Sequence, residues 1–120
     1  MTEDQHDSQS AIARIHLLTG AFDAHIDRVE AHRVTLQPAQ QAPRHFHAGG
    51  VIGYVEDGDI LFEIEGQPAT TLHKGSVFYE PPNAIITHFD NASDTVEATF
   101  IAFYPLSGNQ ALIAMTDQNQ

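Results

Sequence analysis

The sequence predicts an all-β protein, a sandwich or barrel of short strands. Three observations predict it. Apolar and β-branched residues alternate with polar ones over short segments. Gly, Pro, Asn and Asp separate those segments at regular intervals. No stretch sustains the apolar period of a long helix.

Taken in order, residues 1–10 carry no apolar periodicity and read as a loose tail. Ala11–Leu18 is mildly apolar, a short strand or a helical turn, and Gly20 breaks it. Ile26, Val29, Val34 and Leu36 mark a strand over about 26–37. Pro38–Pro43 is a loop, because proline cannot donate to a central ladder. His45-Phe46-His47 follows, with Ala48-Gly49-Gly50 as a bend and Val51–Val55 as a strand. Asp57-Gly58 is a hairpin signal. Ile60–Glu65 alternates like a strand with one wet side, and Gly66-Gln67-Pro68 turns. Ala69–Leu72 is a short strand before the Lys74-Gly75 turn. Val77–Glu80 ends at Pro81-Pro82-Asn83, Ala84–Asp90 ends at an Asn/Asp turn, and Val96–Tyr104 ends at Pro105. Ala111–Met115 reads as a last helical turn or as a segment that pairs with a partner subunit, before the polar tail 117–120.

The 120 residues suffice for one domain, expected over 11–116, and 42% of them are hydrophobic. There is no cysteine, which excludes disulfides and thiolate chemistry and fits a reducing compartment. No apolar run suits a bilayer, and the polar, acidic start is unlike a signal peptide, so a cytoplasmic location is expected. The formal charge of −11, with only five Lys and Arg, argues against nucleic acid or anionic lipid as a partner. Eight histidines are many for this length.

Two of them matter most. In an extended segment, side chains at i and i+2 project from one face, so His45 and His47 point the same way. Neutral imidazole is the commonest protein ligand for divalent transition metals, and a further ligand must come from elsewhere in the chain. No Ser-His-Asp order, phosphate loop, paired carboxylates or calcium-loop spacing competes with this pair.

From about Val34 to Tyr104 the chain resembles the cupin family, small double-stranded β-helix or jelly-roll barrels. The family's first motif reads G-x5-H-x-H-x3,4-E-x6-G. Here His45 and His47 match and Gly58 closes it, while Ala39 stands at the first glycine and Val51 at the glutamate. The second reads G-x5-P-x-G-x2-H-x3-N. Gly75 and Pro81 match, Asn83 replaces a glycine, Ile86 stands at the histidine and Asn91 lies one position late. The Gly53–Gly58 and Phe78–Pro82 stretches look most like those of small single-domain cupins.

In a metal-dependent cupin three histidines and a glutamate bind one ion. The resemblance therefore implies a divalent transition metal (Fe, Mn, Ni or Zn) held by His45, His47 and a third histidine. His88 is the candidate: by period two it shares a face with Ile86, and a bulge would absorb its displacement. Glu80 stands where it could replace the carboxylate lost at Val51, but it reads first as a turn residue or as an acceptor behind the ligands. Tyr54, Phe62, Glu80, Ile86 and Val51 are the expected pocket lining. The implied function is a mononuclear metal cupin, oxygenase-like or isomerase-like on a small organic substrate. The alternatives are a metal-free barrel binding a sugar or metabolite, and a structural role. The resemblance and the apolar segments at both ends imply a homodimer.

Overall fold

The computed structural model describes residues 11–116; the two expected tails, 1–10 and 117–120, lie outside them. Among the described residues nine strands form: β1 (Arg28–Leu36), β2 (His45–Phe46), β3 (Val51–Asp57), β4 (Ile60–Ile64), β5 (Thr70–Leu72), β6 (Val77–Glu80), β7 (Ile86–Asn91), β8 (Ala98–Leu106) and β9 (Ala114–Met115). They make two antiparallel sheets, in the orders β1-β8-β3-β6 and β5-β4-β7-β2-β9. The architecture is the expected all-β jelly roll. The described residues include no helix long and apolar enough to cross a membrane.

Alternation along each strand builds the core. On β8, Ala98, Phe100, Ala102 and Tyr104 are buried while Thr99, Ile101 and Phe103 are not fully so. On β3, Val51, Gly53 and Val55 face inward, and Ile52 and Tyr54 outward. Val51, Val55, Ile60 and Ile86 are the largest fully buried side chains. Each contributes about 1.5–3 kcal/mol by leaving water. Phe62, Phe78, Phe89 and Phe100 close one region of the interior, with Phe89 and Phe100 centroids 4.7 Å apart.

Four local expectations differ from the structure. Asp57-Gly58 does turn the chain, with Gly58 at φ +90°. It joins strands of opposite sheets, however, and closes no hairpin, because β3 pairs with β6 and β8. Pro105 does not end β8. Leu106 accepts from Asp27 N–H on the β1 side, so the alternating Pro105 faces a side where β3 has already stopped, and its missing N–H costs no ladder bond. Ala111–Met115 forms no helical turn; Ala114–Met115 pairs with β2 of the same chain. Residues 12–23 run without strand or helix across the outer face of the first sheet.

Candidate metal centre

The His45-Phe46-His47 segment is a two-residue strand followed by a tight turn. β2 lies between β7 and β9, with His45 opposite both Ile86 and Met115. The turn needs its glycines. Gly50 has φ +78° and donates to His47 C=O at 3.0 Å, and a Cβ on Gly49 would lie 2.0 Å from Pro105 O. The same His47 carbonyl accepts from Asn83 N–H at 3.0 Å. Asn83 adopts φ +68°, the left-handed geometry of the glycine it replaces. The HxH turn and the Pro81-Pro82-Asn83 turn are thereby locked together.

That junction brings Glu80 to the histidines. Val77 and Tyr79 are half-buried while Phe78 and Glu80 are buried, so the carboxylate points inward from the end of β6. Glu80 pairs with Val51 across β3 and β6. Directly opposed residues share a face. The carboxylate missing at Val51 is therefore supplied by its cross-strand neighbour. Among the described residues, His45, His47 and Glu80 form a buried group whose ligand atoms all lie within 4.8 Å of one another.

Hydrogen bonding fixes what these atoms offer. His45 Nδ1 lies 2.6 Å from Pro43 C=O, and His47 Nδ1 2.7 Å from Leu112 C=O. A carbonyl only accepts, so both Nδ1 atoms carry hydrogen, and each neutral ring presents an Nε2 lone pair. Burial lowers the pKa of both rings, that of His47 to about 4, which keeps them neutral. His47 Nε2 is 3.4 Å from Glu80 Oε1, yet among the described residues that buried oxygen has no hydrogen-bond partner. No proton lies on the nitrogen in this tautomer, so two acceptors face each other. Burial pushes the Glu80 carboxyl up to about 8, the cost of placing an uncompensated charge there.

Convergent lone pairs with an orphaned buried oxygen fit a cation. Two ligands ~2.1 Å from one ion in tetrahedral arrangement stand about 3.4 Å apart, the separation of His47 Nε2 and Glu80 Oε1. The group faces a cavity of about 150 Å³ between the sheets, with walls that include Val34, Phe78, Phe89, Phe100 and Ile113. Tyr104 also lines it, its ring centroid 5.3 Å from that of His47. Burial and the nearby Glu80 charge push the Tyr104 hydroxyl up to about 12.

The remaining sequence candidates lie elsewhere. His88 is not brought to His45 and His47. Glu63 pairs with His88 and Ile64 with Ile86, leaving Thr87 as an extra residue on β7. This bulge reverses the alternation, so Ile86 faces the core and His88 the surface. His88 Nδ1 lies 2.7 Å from Asp90 Oδ2, and Nε2 lies 3.8 Å from Glu63 Oε1. Val51 and Glu80 line the cavity. Ile86 is fully buried opposite His45 but does not line the cavity. Phe62 belongs to the aromatic cluster, 5.6 Å from Phe89. Tyr54 faces outward because β3 alternates, and lines a groove beneath the 14–18 segment. Glu80 as a member of the buried group is what the sequence reading undervalued. The signal was available: period two from the apolar Phe78 puts Glu80 on the inner face.

Solved structures share this architecture. A cupin-like protein from Thermotoga maritima is 26% identical, with 76% of this chain and 68% of that one covered and a TM-score of 0.60. An oxalate oxidase in complex with the substrate analogue glycolate is 24% identical at a TM-score of 0.63, covering 73% of this chain and 46% of that one. The DMSP lyase DddQ from Ruegeria pomeroyi is 20% identical at a TM-score of 0.64, covering 73% and 43% respectively. This chain thus spans less than half the length of the oxidase and the lyase. No curated protein matches it in sequence. The family profile of the cupin domain matches residues 32–104, most of the two sheets and all three residues of the buried group. The chain belongs to the cupin domain family.

Proposed function

We propose that this cupin binds one divalent transition ion (Fe, Mn, Ni or Zn) through His45, His47 and Glu80 and acts on a small organic molecule in the barrel. One observation carries the reading: two imidazoles with their Nδ1 hydrogens committed to backbone carbonyls turn their lone pairs toward an unpartnered buried carboxylate oxygen. Two histidines and a carboxylate are a ligand set of catalytic zinc and non-haem iron sites that keep open positions. When bound, such an ion polarises substrate oxygen atoms or activates a small molecule. The chain's own part is to hold the two rings neutral and oriented, exclude water with apolar walls and offer the Tyr104 hydroxyl beside the ligands. Oxygenase-like or isomerase-like chemistry fits this arrangement. An oxidase and a lyase among proteins of the same fold are in keeping with it. Elemental analysis of untagged protein tests it. Near-stoichiometric metal that disappears in His45→Ala/His47→Ala supports the centre; no metal in either protein after loading overturns it.

The metal-free reading has its own observation. The raised pKa of Glu80 would let a protonated carboxyl donate to His47 Nε2, satisfying both without an ion. The same measurement separates the two readings.

A homodimer accompanies this proposal, with residues 11–19 of each copy laid on the outer sheet face of the other. The segment is anchored where Gly20 and Phe22 pack on Tyr79, whose hydroxyl donates to Ala21 C=O. Beyond that anchor Ile15 is 82% and Leu17 68% exposed. A groove of about 590 Å³ separates the segment from Ile52, Tyr54, Val77 and Phe103. The radius of gyration is 16.3 Å, against about 14 Å for a compact chain of this length. A second copy would bury apolar surface that one copy leaves wet. A sedimentation measurement showing a monomer at micromolar concentration would refute this. A cytoplasmic location is proposed with it, and cell fractionation reports on it.

A further inference from the structure

Resting on that reading of the centre, we propose that the cavity selects a small, singly charged, oxygen-chelating acid with an apolar body and rejects dianions. Three observations combine. The first is charge. A divalent ion with Glu80 and two neutral histidines leaves one net positive charge, which one anionic group neutralises. The second is the lining. Among the described residues its polar members are His45, His47, Glu80 and Tyr104, and the rest are apolar, with no Lys, Arg, Asn or Gln. The nearest basic residue in sequence, Arg44, turns outward and binds Glu65 at 2.7 Å. A second carboxylate would therefore sit against hydrocarbon with no cation, an expensive burial. The third is size. The volume is about 150 Å³; a cavity of about that volume accommodates benzene, roughly six non-hydrogen atoms. A hexose exceeds this, and its hydroxyls would lack partners along apolar walls.

Tyr104 supplies the complementary contact. Tyr104 lines the same cavity with its ring centroid 5.3 Å from that of His47, and a phenol is a neutral donor. It suits a bound carboxylate or enolate oxygen and adds no charge. The ligand class is thus a short 2-hydroxy or 2-oxo monocarboxylate, or an enolised dicarbonyl of similar size. Its oxygens meet the ion and Tyr104, and its alkyl end meets Val34, Phe78 and Phe100.

Two acids with the same chelating group separate the alternatives. 2-Hydroxybutyrate carries an ethyl group where tartronate carries a second carboxylate. Each is titrated at neutral pH into Co²⁺-loaded protein, with the visible ligand-field bands of the cobalt as the readout and metal retention checked afterwards. The expected result is that 2-hydroxybutyrate binds at least ~10-fold more tightly than tartronate. Tartronate binding as well or better overturns the inference, as does no response to either acid. Both outcomes leave the metal centre standing. Failure of the protein to take up Co²⁺ at His45, His47 and Glu80 overturns the centre itself, and this inference with it.

Discussion

Two regions of this barrel each gather histidines and carboxylates, and they differ in what surrounds them. At the junction of β2 and β6, His45, His47 and Glu80 are 4%, 6% and 3% exposed. Their hydrogens are turned away onto carbonyls and one carboxylate oxygen is left unpartnered. On β7, His88 meets Asp90 and Glu63 at the surface, its side chain 44% exposed. There the Asp90 carboxylate accepts from Phe89 N–H at 3.1 Å and contacts the ring at 2.7 Å, so it is already satisfied. The difference teaches that the number of histidines does not mark a candidate metal centre. Unsatisfied lone pairs in a dry place do.

The largest expected effect breaks the comparison outright. His47→Ala or Glu80→Ala should lower metal affinity by at least ~100-fold, since a ligand and its oriented lone pair are lost together. His88→Ala should leave affinity within about twofold. Calorimetric titration with Zn²⁺ measures both, and equal losses at the two places would erase the distinction.

Ile86→His sharpens it. The side chain faces the core opposite His45. A third imidazole there should raise metal affinity by roughly 10-fold or more. The apo protein should lose about 1–3 kcal/mol, because a polar ring enters the core unpaired. Denaturant melts with and without Zn²⁺ show both effects.

pH probes the buried region next. Glu80 titrates near 8 in the folded protein against an ordinary 4.5, so it destabilises the metal-free fold as pH rises through that interval. His47 titrates near 4 against an ordinary 6.5, so it works in the opposite sense between those values. The two oppose each other between about 4.5 and 6.5, and the Glu80 effect continues from there to about 8. Apo stability should therefore fall between pH 6.5 and 8, and Glu80→Gln should flatten that limb. Thermal melts across the range provide the check.

Smaller effects close the series. Tyr104→Phe should leave metal affinity intact and weaken 2-hydroxybutyrate about 3- to 10-fold, the worth of one hydrogen bond. His88→Ala should cost at most ~1 kcal/mol of stability, as exposed ion pairs do.

Much of this was legible in the residues. Alternation located most strands, and the HxH pair with its following glycines located two members of the buried group. Glu80 was legible too, from the register of Phe78, but its place opposite Val51 depends on β3–β6 pairing that no local pattern encodes. His88 shows the converse. Period two assigned it to the inner face, and a single extra residue, Thr87, reverses that face. A bulge is a property of two strands in register, so one strand's sequence does not display it. The Asp57-Gly58 turn behaves alike: its geometry is local, but the sheets it joins are set by distant pairings.

The carbonyl that orients His47 belongs to Leu112, sixty-five positions further along the chain. Its consequence is one of timing. During synthesis His45, His47 and Glu80 all emerge before the residue that fixes one ring's tautomer. Until the segment around Leu112 docks beside β2, His47 lacks the acceptor that fixes its Nδ1 hydrogen, and either ring nitrogen can carry it. The lone pair on His47 Nε2 is thus fixed only after that segment has been made. A version ending at Gln110, which lacks β9 as well as the Leu112 carbonyl, should bind Zn²⁺ at least ~10-fold more weakly while β1–β8 stay in their two sheets. In this barrel a later segment sets the orientation of an earlier one.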